Sequence, residues 1–483
     1  MKSAYLLLIL SSAAFGALPA VGPNYTRPSA SVPSQFRDAE QAVAWKTAEP
    51  ADAFARGEWW QLFADPALNE LETRALSANQ DLRGAAARVE QARAAAGIVR
   101  GSYRPQVAVG AGVTRERTSR TTTNVAPTSL TTTYSAPLDA SWELDLFGRV
   151  RRLSESARAE AEASAAAFES VRLALTADVA NNYFSLRALD LERASVSSGI
   201  ELRRRALNLI TSRRTSGTAT DFDVARAETE LASTEAEIAG LDNDRAALQN
   251  ALAVLVGEAA SSFAVPAAAD SARTFASVPA IPSGLPATLL ERRPDIAAAE
   301  RALAAANARI GVAKAAFFPS ISLTGSAGFV SGDIDRLTHA DSRVWSIGPT
   351  LYLPIFQGGR NRANLARSRA AYDEAVAVYR QQVLLAFRDV QDALTSTRLL
   401  NDQAAAQDRA LLAARRAGSL AQTRFDAGYV NLLEVLDAQR TVLTAERAAA
   451  RLAGQRLTTS VALIKSLGGG WHAPKAGVRL AQQ

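Results

Sequence analysis

At 483 residues the chain is 48% hydrophobic yet only 6% aromatic, holds no cysteine and two histidines, and carries a formal charge of +6. Disulfides, thiolate nucleophiles, lipid-accepting thiols and Cys/His metal sites are excluded. The basic balance does not read as a nucleic-acid footprint, because most arginines alternate with Glu and Asp along helical stretches, as on solvated helix faces, and no basic stripe carries interleaved aromatics.

Residues 1–16 combine a lysine, an apolar run through Ala14 and then small residues, the pattern of a secretory signal peptide. Ala14-Phe15-Gly16 is a small-x-small cleavage site, with Ala20 as the alternative. No later segment offers the ~18 uninterrupted apolar residues of a membrane helix, so passage through a membrane would have to be made by strands. Residues 17–66 form an N-terminal segment. From about Ala67 to Arg100 the apolar spacing predicts a helix, ended at Tyr103-Arg104-Pro105. A strand hairpin over 104–147 follows. Val107, Val109, Ala111 and Val113 alternate with small residues, and a Thr/Ser-rich loop runs from Thr118 to Thr133. The return strand sets Leu138, Ala140, Trp142, Leu144 and Leu146 against Asp139, Ser141, Glu143 and Asp145, one face apolar and the other acidic.

Residues 149–257 predict a proline-free helical hairpin. Its long helix runs from Arg149 to about Thr211 with Phe168, Val171, Leu175 and Val179 on one seam. A turn at Ser216-Gly217-Thr218 leads to a return helix of about 40 residues, closed by Gly257 as a left-handed cap. Residues 258–286 are a linker. Residues 287–468 then repeat the order. A helix precedes a strand hairpin over 317–356, where Trp345, Ile347, Pro349, Leu351, Leu353 and Ile355 share a face beyond a loop near Ser331 to Ser342. A helical hairpin over 360–468 follows, with Tyr379, Val383, Phe387, Val390 and Leu394 on its seam, a turn at Ala427-Gly428-Tyr429 and a cap at Gly468. A tail, 469–483, completes the chain. A helix of some 63 residues is roughly 95 Å long, more than a compact domain of this size contains.

The two halves align residue by residue. Asp81, Gly97, Arg100 and Pro105 fall on Asp295, Gly311, Lys314 and Pro319 at an offset of 214; Gly148, Phe168, Val179, Gly217 and Gly257 fall on Gly359, Tyr379, Val390, Gly428 and Gly468 at 211. Units this long are not solenoid repeats, so each is read as a structural half contributing two strands and two helical columns. Four strands with a lipid-compatible face cannot close a barrel, and open edges cannot sit in hydrocarbon. Identical chains must therefore pool strands. A trimer would supply twelve, continuing into twelve helical columns. No nucleophile, base and orienter constellation accompanies the Gly-rich turns, so the chain reads as a non-enzyme with neither cofactor nor metal.

Several segments together resemble the TolC/OprM family of outer-membrane efflux channels, in its multidrug, NodT-like branch. They are VGPNYTRP (21 to 28), WWQLFADPALNEL (59 to 71), SWELDLFGRVRR (141 to 152), LLERRPDIAAAER (289 to 301), IGVAKAAFFPSISLTGSAG (310 to 328), LPIFQGGR (353 to 360), VLDAQR (435 to 440) and SLGGGW (466 to 471). The resemblance implies an α+β membrane channel. In it, long antiparallel helical hairpins form a periplasmic α-barrel, strands form a transmembrane β-barrel, and the unit is a homotrimer. It further implies an equatorial belt from about Val21 to Pro66, Glu258 to Pro286 and Gly469 to Gln483. The implied partners are a periplasmic adaptor (membrane fusion) protein and an inner-membrane RND-type transporter. The lipidated cysteine common in the branch is replaced here by the stretch Leu18-Pro19-Ala20. An outer component of a type I protein-secretion or metal-efflux system is the alternative, and a periplasmic coiled-coil scaffold a second.

Glu434 and Asp437 lie three positions apart on one helical face of the second turn. By resemblance they match acidic pairs that form constriction rings in TolC. Three copies of Asp437 about 6 Å apart would repel by about 0.7 kcal/mol per pair in water and about 3 kcal/mol at an effective dielectric of 20. Asp223 matches a family tip carboxylate, with Arg226 and Arg424 as latch partners; the arginine that latches the tip in TolC is replaced by Val430. The plainer alternative pairs Asp437 with Arg440 on its own helix. Gly217, Thr218, Gly428 and Tyr429 are candidate adaptor-docking tips, against a purely conformational need for glycine. Trp142 and Trp345 are expected at a membrane interface, Trp59 and Trp60 in packing.

Overall fold

The computed structural model describes residues 20–29, 58–119, 130–267 and 293–470. The signal peptide with its Gly16 cleavage position, most of the 17–66 and 258–286 segments, and the tail from 471 lie outside the described residues. In the first repeat, α1 (Pro66–Ala78), α2 (Gln80–Gly101), β1 (Gln106–Val109), β2 (Gly112–Arg117) and β3 (Leu130–Leu144) precede α3 (Arg149–Thr215) and α4 (Asp221–Leu255). The second contains α5 (Pro294–Ala315), β4 (Ser320–Ser331), β5 (Arg343–Tyr352), α6 (Arg360–Asp426) and α7 (Leu432–Ser466). The duplication is visible in the bounds. Gln80 and Pro294, and Gly101 and Ala315, are 214 positions apart; Arg149 and Arg360, Thr215 and Asp426, Asp221 and Leu432, and Leu255 and Ser466 are each 211 apart. No described helix is long and apolar enough to cross a membrane.

Local chemistry explains where the elements depart from the sequence reading. The single helix expected over Ala67 to Arg100 is two. Asn79 leaves the helix at φ −61°, ψ 129°. Its Oδ1 accepts from the Leu82 amide at 2.9 Å and its Nδ2 donates to the Leu255 carbonyl at 3.0 Å, so one residue ends α1, starts α2 and ties both to α4. The loop expected over Thr118 to Thr133 is shorter, because β3 already begins at Leu130 and its β-branched threonines sit in the ladder. Asp145, expected on the acidic strand face, lies past the end of β3. Its carboxylate accepts from the Val150 and Arg151 amides at 3.0 and 2.8 Å and caps α3. Leu353 and Ile355 fall beyond β5, which stops before Pro354.

The chain divides into two compact units. One comprises Met1–Ser29, Arg88–Ala165 and Ala298–Arg380; the other comprises Ala30–Ala87, Ala166–Ala297 and Gln381–Gln483. Each draws on both repeats, so compactness does not follow the duplication. The reason in the first unit is that β3 of one repeat pairs with β4 of the other. Its sheet is an antiparallel meander, β1 and β2 on β3, then β4, then β5. β1 and β2 hold one register against β3, interrupted at Gly110 and Ala111. The Gly110 amide still donates to the Pro137 carbonyl at 2.8 Å, but Pro137 has no N–H to return, and the ladder breaks there. In the same unit Val21 donates to the Phe147 carbonyl at 3.0 Å and Asn307 Nδ2 to the Pro23 carbonyl at 3.1 Å. Residues 20–29 of the expected equatorial segment therefore belong with the sheet-bearing unit.

The second unit has a core of Trp59, Trp60 and Phe63 packed with Leu175, Val179, Tyr183 and Leu186 of α3, Leu252 of α4, Val390 and Leu394 of α6, and Leu457, Val461 and Ile464 of α7. Trp59 is 1% exposed and donates from Nε1 to Thr176 Oγ1 at 3.2 Å. Both tryptophans are packing residues, as their sequence context predicts.

Candidate functional site

In an antiparallel ladder directly paired residues share a face, so the registers sort every strand side chain. Pairing carries Leu138 to Val109 on one side and through Ala327 to Trp345 on the other; Trp142 pairs with Leu323, which pairs with Pro349; Leu144 pairs with Ile321, which pairs with Leu351. Val107, Ala140, Gly325 and Ile347 form another such row. The opposite face carries Gln106, Ser141, Thr324 and Gly348 in one row, and Ala108, Asp139, Ser326 and Ser346 in the next. In these rows one face of the sheet is apolar and the other is small and polar. The apolar face is exposed in the single chain, with Trp345 78%, Ile347 69% and Val109 79% accessible. Trp142 lies on it too and donates from Nε1 to the Tyr103 carbonyl at 3.1 Å. The sheet ends in open edges, β1 with β2 on one side and β5 on the other.

The hairpin tips are built alike. Gly217 and Gly428 take φ of 75° and 77°, which disfavours any side chain, and a Cβ at either would meet nothing within 4 Å. Their need for glycine is met by backbone conformation within the chain. Thr218 and Tyr429 close the turns, their amides donating to the Arg213 and Arg424 carbonyls at 2.9 and 2.8 Å, and both side chains are exposed. Arg213 stacks its guanidinium over the buried Phe425 ring at 4.8 Å, joining the ends of α3 and α6.

Asp223 sits at the third position of α4. Thr220 donates its amide and its hydroxyl to Asp223 Oδ2 at 2.9 and 2.7 Å, and the Asp223 amide donates back to Thr220 Oγ1 at 3.2 Å. This capping box holds the Asp223 carboxyl below the usual carboxylate range. Glu434 occupies the same position of α7, where its amide donates to Asn431 Oδ1 at 3.1 Å. Among the described residues neither Arg226 nor Arg424 forms an ion pair with Asp223, which is engaged by its own cap. Asp437 is exposed and its carboxylate has no partner there either. The plainer alternative fails at this point: Arg440 is taken by Glu230 of α4 rather than by Asp437. Glu230 also faces the buried Arg203 of α3 at 3.9 Å, and burial pulls the Arg203 guanidinium down from its ordinary value.

Charge clusters that sequence spacing did not reveal tie the helices further along. Glu192 of α3, nearly inaccessible, accepts from Arg447 Nε at 2.8 Å and from Arg451 at 2.6 and 2.9 Å, and Arg447 also meets Glu237 of α4 at 2.7 Å. Only the seam period could have hinted at these pairs, since the partners are 210 to 259 positions apart.

The sheet faces and duplicated tips agree with what the chain is similar to. The family model described as outer membrane efflux protein matches twice, over residues 71–258 and 285–469, once per repeat. The toluene efflux pump outer membrane protein TtgF of Pseudomonas putida is 36% identical over 479 residues, 98% of each chain. The pyoverdine export outer membrane protein OpmQ of Pseudomonas aeruginosa is 35% identical over 453 residues, 92% of this chain and 93% of that one. Among solved structures, the outer-membrane channel OprN has a TM-score of 0.85 at 34% identity, covering 94% of this chain and all of the other. The chain belongs to the outer membrane efflux protein family.

Proposed function

We propose that the chain is the passive exit duct of a tripartite efflux pump that carries small molecules and drugs out of the cell. It works as a homotrimer whose pooled strands make a twelve-stranded barrel in the outer membrane and whose helices make twelve periplasmic columns. The observation that carries this reading is the sheet itself, an apolar face with two open edges that hydrocarbon tolerates only after closure by further strands. A periplasmic adaptor meets the tips at Gly217, Thr218, Gly428 and Tyr429, and an inner-membrane transporter supplies the cargo. A heat-modifiable trimer in outer-membrane fractions, and drug sensitivity on deletion that the cloned chain reverses, are expected. A water-soluble monomer that never enters lipid contradicts the proposal.

The second tip supplies the gate. Asp437 has an exposed carboxylate and no competitor for it, which supports a ring of three in the closed trimer, with Glu434 one turn away. Asp223 keeps Oδ1 outside its cap, and Arg226 and Arg424 are the cations that can latch a neighbouring copy. Asp437→Ala enlarges single-channel conductance in planar bilayers and weakens block by divalent cations. Unchanged conductance in Asp437→Ala removes that residue from the gate.

A further inference from the structure

We propose that the loop-side end of the apolar sheet face binds phosphate groups of anionic lipid headgroups, an inference that rests on the membrane reading above. Register puts Arg115 and Arg117 of β2 opposite Thr132 and Leu130, and Arg343, the first residue of β5, opposite Phe329. All three stand on the face of Trp142 and Ile347. That face carries no carboxylate among the described strand residues; Glu116, Asp139 and Glu143 all fall on the other one. The three arginines are exposed, and no guanidinium among them has an ion pair or hydrogen bond among the described residues.

Their position along the strands fixes the partner. From Leu144 to Ala136 the face is apolar over nine positions, the low end of the about nine to eleven residues a tilted membrane strand uses. Arg115 and Arg117 come after it, and Arg343 stands at its border. A guanidinium facing lipid is disfavoured at the midplane and tolerated only near an interface. The helix-side end of the face closes instead on Leu144, Ile321 and Leu351, without a cation. The charge is therefore confined to one side of the bilayer. Because β2 and β5 are opposite edges of the sheet, closing a ring of copies sets Arg343 of one copy on a strand next to Arg115 and Arg117 of its neighbour. Three planar forks at the same end of the face match phosphate oxygens, which accept two parallel N–H bonds from each. A second copy meeting this one face to face cannot serve, since its own apolar face offers no carboxylate among the described strand residues.

The test uses the full-length trimer in detergent, titrated by native mass spectrometry with bisphosphorylated lipid A, with its dephosphorylated form, and with inorganic phosphate. Lipid A is expected to bind, and R115Q/R117Q/R343Q to weaken it about 100-fold, on the order expected for three arginines at an anionic surface. The dephosphorylated lipid should bind the native protein no better than lipid A binds the variant. If the triple variant does not assemble, R343Q alone should cost about fivefold, and the charge-retaining R115K/R117K/R343K should lose less than the glutamine variant. Equal binding by native protein and variants, or equal binding of both lipids, overturns the proposal. Displacement of lipid A by inorganic phosphate at comparable concentration makes this an ion site and overturns it as a lipid site. An intact native trimer without arginine dependence sinks this inference alone, whereas a native chain that never trimerises or enters bilayers sinks the duct reading with it.

Discussion

The tip between α3 and α4 and the tip between α6 and α7 share a backbone and differ in charge. Both turn on a glycine near φ 75°, both start the return helix on a side-chain cap, and both place an acidic residue at its third position. Three residues further on, the first tip has Arg226 where the second has Asp437. Turn geometry and helix capping demand the glycine and the cap in either copy; nothing in the turn demands a charge at the sixth position. At that position the second tip carries an exposed carboxylate where the first carries a guanidinium.

The first way to break this comparison is at the link between the tips. Glu230 serves Arg440 of the second hairpin and the buried Arg203 of the first. Glu230→Ala leaves that guanidinium without its carboxylate and should cost about 3 kcal/mol, read as a lower urea midpoint for loss of helical signal. An unchanged midpoint would show the tips to be energetically separate. Next, Gly217→Ala and Gly428→Ala should each cost about 1 kcal/mol, and equally, because both glycines have the same backbone and free space around them. Unequal costs would mean that one tip is constrained by something besides its turn.

The smallest effect separates the caps. Asp223→Ala should speed hydrogen exchange of the first amides of α4 about fivefold, and Glu434→Ala should act less on α7, where Asn431 alone makes the cap. Asp223 has a depressed folded pKa, so its contribution is present above the ordinary Asp value and is lost as pH falls through the folded one. The protection factor in that turn, exchange corrected for its intrinsic pH dependence, should stay flat from pH 7 to about 4 and fall only below. A loss of protection already at pH 6 contradicts the capping assignment.

Much of the fold was legible because duplication and period are written into neighbouring residues. The long helices, the apolar strand faces and the turn glycines all follow from spacing within about ten positions. Asn79 and Asp145 were not legible, since each looks like one more polar residue in a periodic pattern until its side chain is seen on a helix-end amide. Pro137 breaks a ladder only because its partner across the sheet is Gly110, a fact of register. At the second tip, Asp437 was visible as an acidic residue near a turn, but whether Arg440 neutralised it depended on Glu230, some two hundred positions away.

In the proposed barrel the two faces of the sheet meet different media, hydrocarbon outside and water inside, once copies close it. Because the chain has no cysteine, single cysteines along β3 can each carry the only spin label in the protein. In bilayers, labels at Ala136, Leu138 and Ala140 should be accessible to dissolved oxygen, and labels at Ser135, Asp139 and Ser141 to a polar nickel chelate, alternating with a period of two. Uniform access to the polar reagent, or access without alternation, would contradict it.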